Sequence, residues 1–216
     1  MTWLESTALH RLSLLALAFA TLAVAACTDH AASINTARPD PRALPLPSDE
    51  PAFSFVIFGD RTGGPAEGIE VLAQAVKDTN LLDPDLVMTV GDLVQGYNET
   101  PQWLEQMEEY RGVMSKLRMP WYPVAGNHDI YWRGGTPPPG HHEADYETHF
   151  GPLWYWFGHK NAAFVVLYSD EGNRAQNTKS FYGADSQMGP EQLAWLEQTL
   201  ARTARFDHVF VFLHHP

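Results

Sequence analysis

Residues 85–96 read DLVMTVGDLVQG. The apolar and β-branched run from Leu86 to Val90 is the length of a strand and continuous enough to be buried on both faces. It breaks at once into Gly91 and Asp92. The same grammar recurs along the chain. FSFVIF (53–58) runs into GDRTGG (59–64), PWYPVA (120–125) into GNHD (126–129), and HVFVFL (208–213) into His214, His215 and Pro216. A further strand is read over AAFVVLYS (162–169). Between the strands, apolar residues fall at helical spacing over 66–79 (Ile69, Leu72, Ala73, Val76) and 101–117 (Trp103, Leu104, Met107, Met114, Leu117). Residues 189–203 predict a helix opened by Pro190. Residues 130–160, crowded with proline, glycine and aromatics, read as irregular. Strands alternating with helices predict an α/β fold, a layered sheet with flanking helices. Its polar motifs all follow the carboxyl ends of strands, where open α/β sheets place their ligands, and are expected at one edge of one sheet.

Each motif alone has an ordinary structural explanation. Asp60 and Asp92 are good helix N-caps or turn residues. Asn127 accepts a left-handed turn, and His214 or His215 could be satisfied at a strand end. Together they point further. Strand ends bearing Asp, Asn and His converge, and Gly59, Gly91 and Gly126 precede them, letting side chains and backbone approach one centre. Carboxylate, amide and imidazole donors suit divalent ions such as Mn, Fe or Zn, and one carboxylate can bridge two of them.

GDRTGG, GDLVQG, GNHD and LHHP, in this order and each after a strand, resemble the calcineurin-like metallophosphoesterases. The resemblance runs from about Phe53 to Pro216. It implies metal-dependent hydrolysis of phosphomonoesters or phosphodiesters by a hydroxide held between two divalent metal ions, acting on a small phosphate-ester substrate. It implies that Asp60 ligates the first metal, that Asp92 bridges both, and that Asn127 and His214 ligate the second. His128 would donate a proton to the leaving oxygen, oriented by Asp129, and His215 would lie near the site without ligating. Two departures stand out. Thr62 occupies the place of the family's usual histidine, and no Gly-His-x-His motif occurs in the chain. Pro216 is therefore expected to be a truncation, with the second half of the sandwich missing. Arg61, whose guanidinium matches phosphate geometry, is the candidate substrate-binding residue; the alternative is an ordinary surface arginine. The departures also support an alternative function: a degenerate, non-catalytic phosphate- or partner-binding protein on the same fold. His141, His142 and His149 are expected in a solvated loop, with His149 beside the packed FGPLWYW cluster, and Tyr131 and Trp132 near the substrate.

A hydrophobic fraction of 44% and a charged fraction of 19% describe a globular chain with a core. The net charge of −12 argues against long nucleic acid as a partner, but not against a small anion, because bound metal reverses the local sign. The N-terminus has Arg11, an apolar run over 12–26 and then Cys27, the chain's one cysteine. This matches a signal-peptide core, and VAAC resembles the lipobox of bacterial lipoproteins. The expectation is a signal peptide over 1–26, lipid attachment at Cys27, a Pro-rich tether over 27–52 and a folded domain over 53–216. The protein would then be exported to the periplasm and anchored to membrane by its lipid. The alternative is an ordinary signal peptide cut nearby.

Overall fold

The computed structural model describes residues 36–37, 52–62, 64–65, 67–172, 177, 179 and 188–216. Cys27, residues 1–26, most of the 27–52 tether and Gly63 lie outside the described residues. Among the described residues no helix is long and apolar enough to cross a membrane.

Strands β1 (Phe55–Phe58), β2 (Leu86–Thr89) and β3 (Trp121–Tyr122) form a parallel sheet in that order. Parallel neighbours need crossover connections, and helices α1 (Gly68–Leu82) and α2 (Thr100–Met114) supply them. Every residue of β2 is buried. Its alternation divides the work: Val87 packs against the helices, while Leu86 and Met88 face the other way. Pro101 sits in the first turn of α2, where its missing N–H costs no hydrogen bond.

Leu86 and Met88 face a second three-stranded sheet, which corrects two expectations. The motifs do not all belong to one sheet, and the second layer of the sandwich is present. It is built from β4 (Tyr155–His159), antiparallel to β5 (Ala162–Val166), which pairs in parallel with β6 (His208–Phe212). Helix α5 (Pro190–Thr203) is the crossover between β5 and β6 and covers the outer face through Trp195 and Leu196. The layers therefore run helix, sheet, sheet, helix.

Aromatic rings fill the space between the sheets. Phe157 stacks on Tyr122 at 4.1 Å and on Phe164 at 4.9 Å, and Phe55 meets Phe164 edge-on at 5.2 Å. Burying each such ring stabilises the fold by about 1.5–3 kcal/mol. On the outer strands Ile57, Val209 and Val211 remain exposed.

The stretch 130–160 is less irregular than its composition suggests. It holds α4 (Glu143–His149) and β4, after the single turn α3 (Asn127–Ile130). The consecutive aromatics divide by strand alternation. Tyr155 and Phe157 enter the inter-sheet core, Trp156 faces the α5 layer, and Trp154 joins the core under α1 and α2. The loop histidines are not simply solvated. His142 is fully buried between Trp103 (5.4 Å) and Trp132 (5.2 Å), and burial pushes its pKa down to about 4. His149 also packs on Trp103, and His141 is partly buried. Trp132 thus belongs to this packing.

Candidate metal centre

The carboxyl ends of β1, β2 and β3 and the end of β6 meet where the two sheets come together. Asp60 follows β1 and Asp92 follows β2, while Asn127 and His128 open α3 after β3, and His214 follows β6. One donor atom each from Asp60, Asp92 and His214 lies within 4.8 Å of the other two. Asn127 belongs with them, because its Oδ1 is 3.0 Å from His214 Nε2.

The backbone is shaped for this approach. Gly91 has φ 97° and Asp92 φ 55°, a left-handed pair that swings the Asp92 carboxylate back over the strand end. A Cβ on Gly91 would lie 2.6 Å from His214 Nδ1, and one on Gly126 would collide with the Asp92 backbone and carboxylate. Only glycine admits these contacts.

Each donor is aimed by a second interaction. His214 Nδ1 donates to the Val90 carbonyl at 2.8 Å, leaving Nε2 facing Asp92 Oδ1 (3.4 Å) and Asn127. Burial opposes the imidazolium, but the hydrogen bond and charge of Asp92 win and push the His214 pKa up to about 9. In return, although burial raises it, the His214 hydrogen bond and charge hold the Asp92 carboxyl below its ordinary value. Asp92 Oδ1 also accepts the His128 backbone N–H at 2.9 Å. Asn127 Nδ2 donates to the Tyr97 hydroxyl at 2.7 Å, which points Oδ1 at the centre.

Thr62 stands inside the cluster. Its hydroxyl lies 2.8 Å from Asp60 Oδ1 and 3.1 Å from Asp92 Oδ2, spanning the two carboxylates. The Thr62 backbone N–H also donates to Asp60. Two carboxylates, an amide oxygen and an imidazole nitrogen, with a hydroxyl beside them, form a donor set that fits a divalent ion of the Mn, Fe or Zn type.

His128 lies at the rim. Its Nδ1 contacts the Gln95 carbonyl, its ring meets Tyr97 edge-on at 4.5 Å, and its Nε2 is 4.0 Å from Asp92 Oδ2. Asp129 does not touch that ring, contrary to the expectation that it orients it. Its carboxylate is fully buried and accepts backbone N–H groups of Leu93 (2.7 Å), Val94 (3.0 Å) and Gly126 (2.8 Å). Burial, then the nearby Asp92 charge, push its pKa up to about 8 against the pull of these amides. Asp129 is a clamp between the loops after β2 and β3.

Arg61 is turned away. Its side chain is only 7% exposed and pairs with Glu109 of α2 at 2.8 Å, so the guanidinium does not face the metal cluster as a phosphate group would require. His215 lies near the centre and outside the cluster: its ring is 4.3 Å from that of His214 and its Nδ1 is 3.0 Å from Asp170. Tyr131 lies beside Tyr97 and donates to Asp170 at 3.0 Å. Sequence reasoning missed Tyr97 and Asp170. Tyr97 lies just past the GDLVQG motif and Asp170 just past the 162–169 strand without a preceding glycine, and their partners Asn127 and Tyr131 are 30 and 39 residues away.

A family model described as calcineurin-like phosphoesterase matches residues 27–216. The human tartrate-resistant acid phosphatase type 5 is 27% identical over 209 residues. That alignment covers 81% of this chain and 61% of the human protein, so the chain spans about three-fifths of that relative's length. The crystal structure of a dimetal phosphatase from Danio rerio superposes with a TM-score of 0.58 at 16% identity, covering 77% of this chain and 71% of that one. At that identity the likeness shows a shared fold.

Proposed function

We propose, from the premise that the chain belongs to the calcineurin-like phosphoesterase family, that it is a metal-dependent hydrolase of small phosphate esters. The observation that carries this reading is the convergence of Asp60, Asp92 and His214 donor atoms within 4.8 Å of one another. Asp60, Asp92, Asn127 and His214 would hold divalent metal. When bound, such ions supply an activated water and neutralise charge on the phosphoryl oxygens. The chain's own residues do the rest. Asp92 ties the His128 amide and His214 to one carboxylate, and Asn127 presents an oxygen because Tyr97 engages its nitrogen. His128, held through Nδ1 by the Gln95 carbonyl, keeps Nε2 on the side of Asp92 and would donate a proton to the leaving oxygen.

Thr62 favours a second reading, in which the centre holds one ion tightly and binds phosphate without turnover. Its hydroxyl occupies the gap between Asp60 and Asp92. The test is hydrolysis of p-nitrophenyl phosphate and bis(p-nitrophenyl) phosphate with added Mn²⁺. The hydrolase reading predicts turnover that EDTA and Asp92→Ala each abolish. Turnover that survives either treatment refutes the mechanism, and stoichiometric Mn²⁺ without turnover supports the binding protein. Export with a lipid on Cys27 belongs to the same proposal, and incorporation of radiolabelled palmitate that is lost in Cys27→Ser checks it.

A further inference from the structure

The donors of the metal cluster are held from behind by a closed circuit that joins the two sheets. It starts at Asn127, whose Nδ2 donates to the Tyr97 hydroxyl at 2.7 Å. The Tyr97 ring meets Tyr131 edge-on at 5.6 Å, and the Tyr131 hydroxyl donates to Asp170 Oδ1 at 3.0 Å. Asp170 also takes His215 Nδ1, at 3.0 Å on Oδ1 and 3.1 Å on Oδ2. The His215 ring lies against His214 at 4.3 Å, and His214 Nε2 returns to Asn127 Oδ1 at 3.0 Å.

Asp170 is the junction of this circuit. It follows β5, is 0% exposed, and its carboxylate faces donors from three segments. Ser169 tightens the same point: its hydroxyl donates to Asp170 Oδ2 at 2.8 Å and accepts the His215 backbone N–H at 2.9 Å. His215 is thus gripped by both ring and backbone. The peptide that carries His214 is fixed one residue before the grip.

We propose that Asp170 is a positioning residue for the metal centre. It fixes the directions of Asn127 Oδ1 and His214 Nε2 without touching ion or substrate. The physical need is specific. An asparagine amide presents its oxygen to a metal when its nitrogen is engaged elsewhere, here by Tyr97, whose ring is seated against Tyr131 as well as His128 and Arg133. A ligating imidazole must likewise keep one rotamer. Groups that orient ligands in this way contribute strongly to metal affinity. This inference rests on the metal-binding reading above.

The test is calorimetric titration of the full chain with Mn²⁺. Asp170→Asn should raise the Mn²⁺ Kd about 10- to 100-fold. Tyr131→Phe, which keeps the ring and deletes the hydroxyl, should move it the same way by a smaller factor. Asp85→Asn is the control for simple destabilisation, because Asp85 pairs with Lys160 at the opposite end of β2; its Kd should match wild type. The visible spectrum of bound Co²⁺ should change in Asp170→Asn and not in Asp85→Asn. A folded Asp170→Asn protein with a Kd within about twofold of wild type overturns the proposal, that margin being well below the effect of a true orienting group. So does an equal shift in Asp85→Asn. If Asp170→Asn does not fold, an unchanged Kd in Tyr131→Phe overturns it. Wild type that binds no Mn²⁺ removes the metal reading and this proposal together, whereas wild type that binds while the variants match it removes this proposal alone.

Discussion

Asp129 gives the sharpest test of how the GNHD motif works here. Its side chain accepts three backbone N–H groups and makes no contact with the His128 ring, which sits on the Gln95 carbonyl and Tyr97. Asp129→Ala would orphan the amides of Leu93, Val94 and Gly126, all buried. A buried donor left without a partner costs about 1–3 kcal/mol, and neighbouring losses are not additive, so the total should be about 3–6 kcal/mol. Asp129→Asn should be milder. The acceptor oxygen can still serve Leu93 and Val94, which share Oδ1, while the amide nitrogen confronts the Gly126 N–H. One lost bond of this kind costs about 1–3 kcal/mol. The assay is urea unfolding at about pH 9, above the Asp129 pKa of about 8 so that both carboxylate oxygens accept, comparing midpoints at equal slope. The ordering Ala, then Asn, then wild type in rising stability is the expected result. If Asp129→Ala costs less than about 1 kcal/mol, below even one orphaned amide, and still abolishes turnover, Asp129 acts on His128 and the clamp is refuted.

Three further outcomes follow from the site. His214 is raised to about 9 from an ordinary 6.5, so its pairing with Asp92 stabilises the metal-free fold fully below pH 6.5 and is lost as pH rises through about 9. Because metal takes the neutral imidazole, Mn²⁺ affinity should climb about tenfold per pH unit below that value, with about one proton released per ion at pH 7; calorimetry in buffers of different ionisation enthalpy measures this, and no release would sink the assignment of His214. Thr62→His places an imidazole where a hydroxyl now spans Asp60 and Asp92, and should add or tighten a second Mn²⁺ equivalent; unchanged stoichiometry and affinity would count against a donor-poor first site. Arg61→Met should lower stability by about 1 kcal/mol by deleting the partly exposed Glu109 pair and leave KM for phosphate esters unchanged, whereas a KM increase of tenfold or more would return Arg61 to the substrate.

The strand-end motifs were legible because they are local. A short apolar run that ends in Gly-Asp or Gly-Asn-His specifies both the strand and the place where its polar residue emerges. That reasoning found Asp60, Asp92, Asn127 and His214 but could not tell that they come from two sheets. The division depends on which strands pair: β6 joins β5 and β4, which stack across the core on β1–β3. Pairing of that kind is set by packing of Phe157, Tyr122 and Phe164, residues more than 30 positions apart in part, and leaves no period in any one segment. Tyr97 and Asp170 were hidden for the same reason. The 130–160 stretch failed differently, since its prolines and glycines cluster in the first half and masked the helix and strand of the second.

Arg61 shows that adjacency in sequence does not fix direction. After β1 the Thr62 backbone N–H closes back on Asp60 Oδ1, a local turn that holds the side chains of Asp60 and Thr62 together. Thr62 therefore shares the side of Asp60, while Arg61 between them reaches towards α2. The hydrogen bonds bear this out: Thr62 reaches Asp60 and Asp92, while Arg61 reaches Glu109 on α2. A guanidinium next to a cluster carboxylate in sequence is therefore poor support for phosphate recognition, because adjacency alone does not say which way the two side chains point. His214 and His215 also differ in their partners, although their rings lie 4.3 Å apart. His214 faces Asp92 and Asn127, and His215 faces Asp170. Under the proposed metal reading, the first histidine would ligate and the second would brace it.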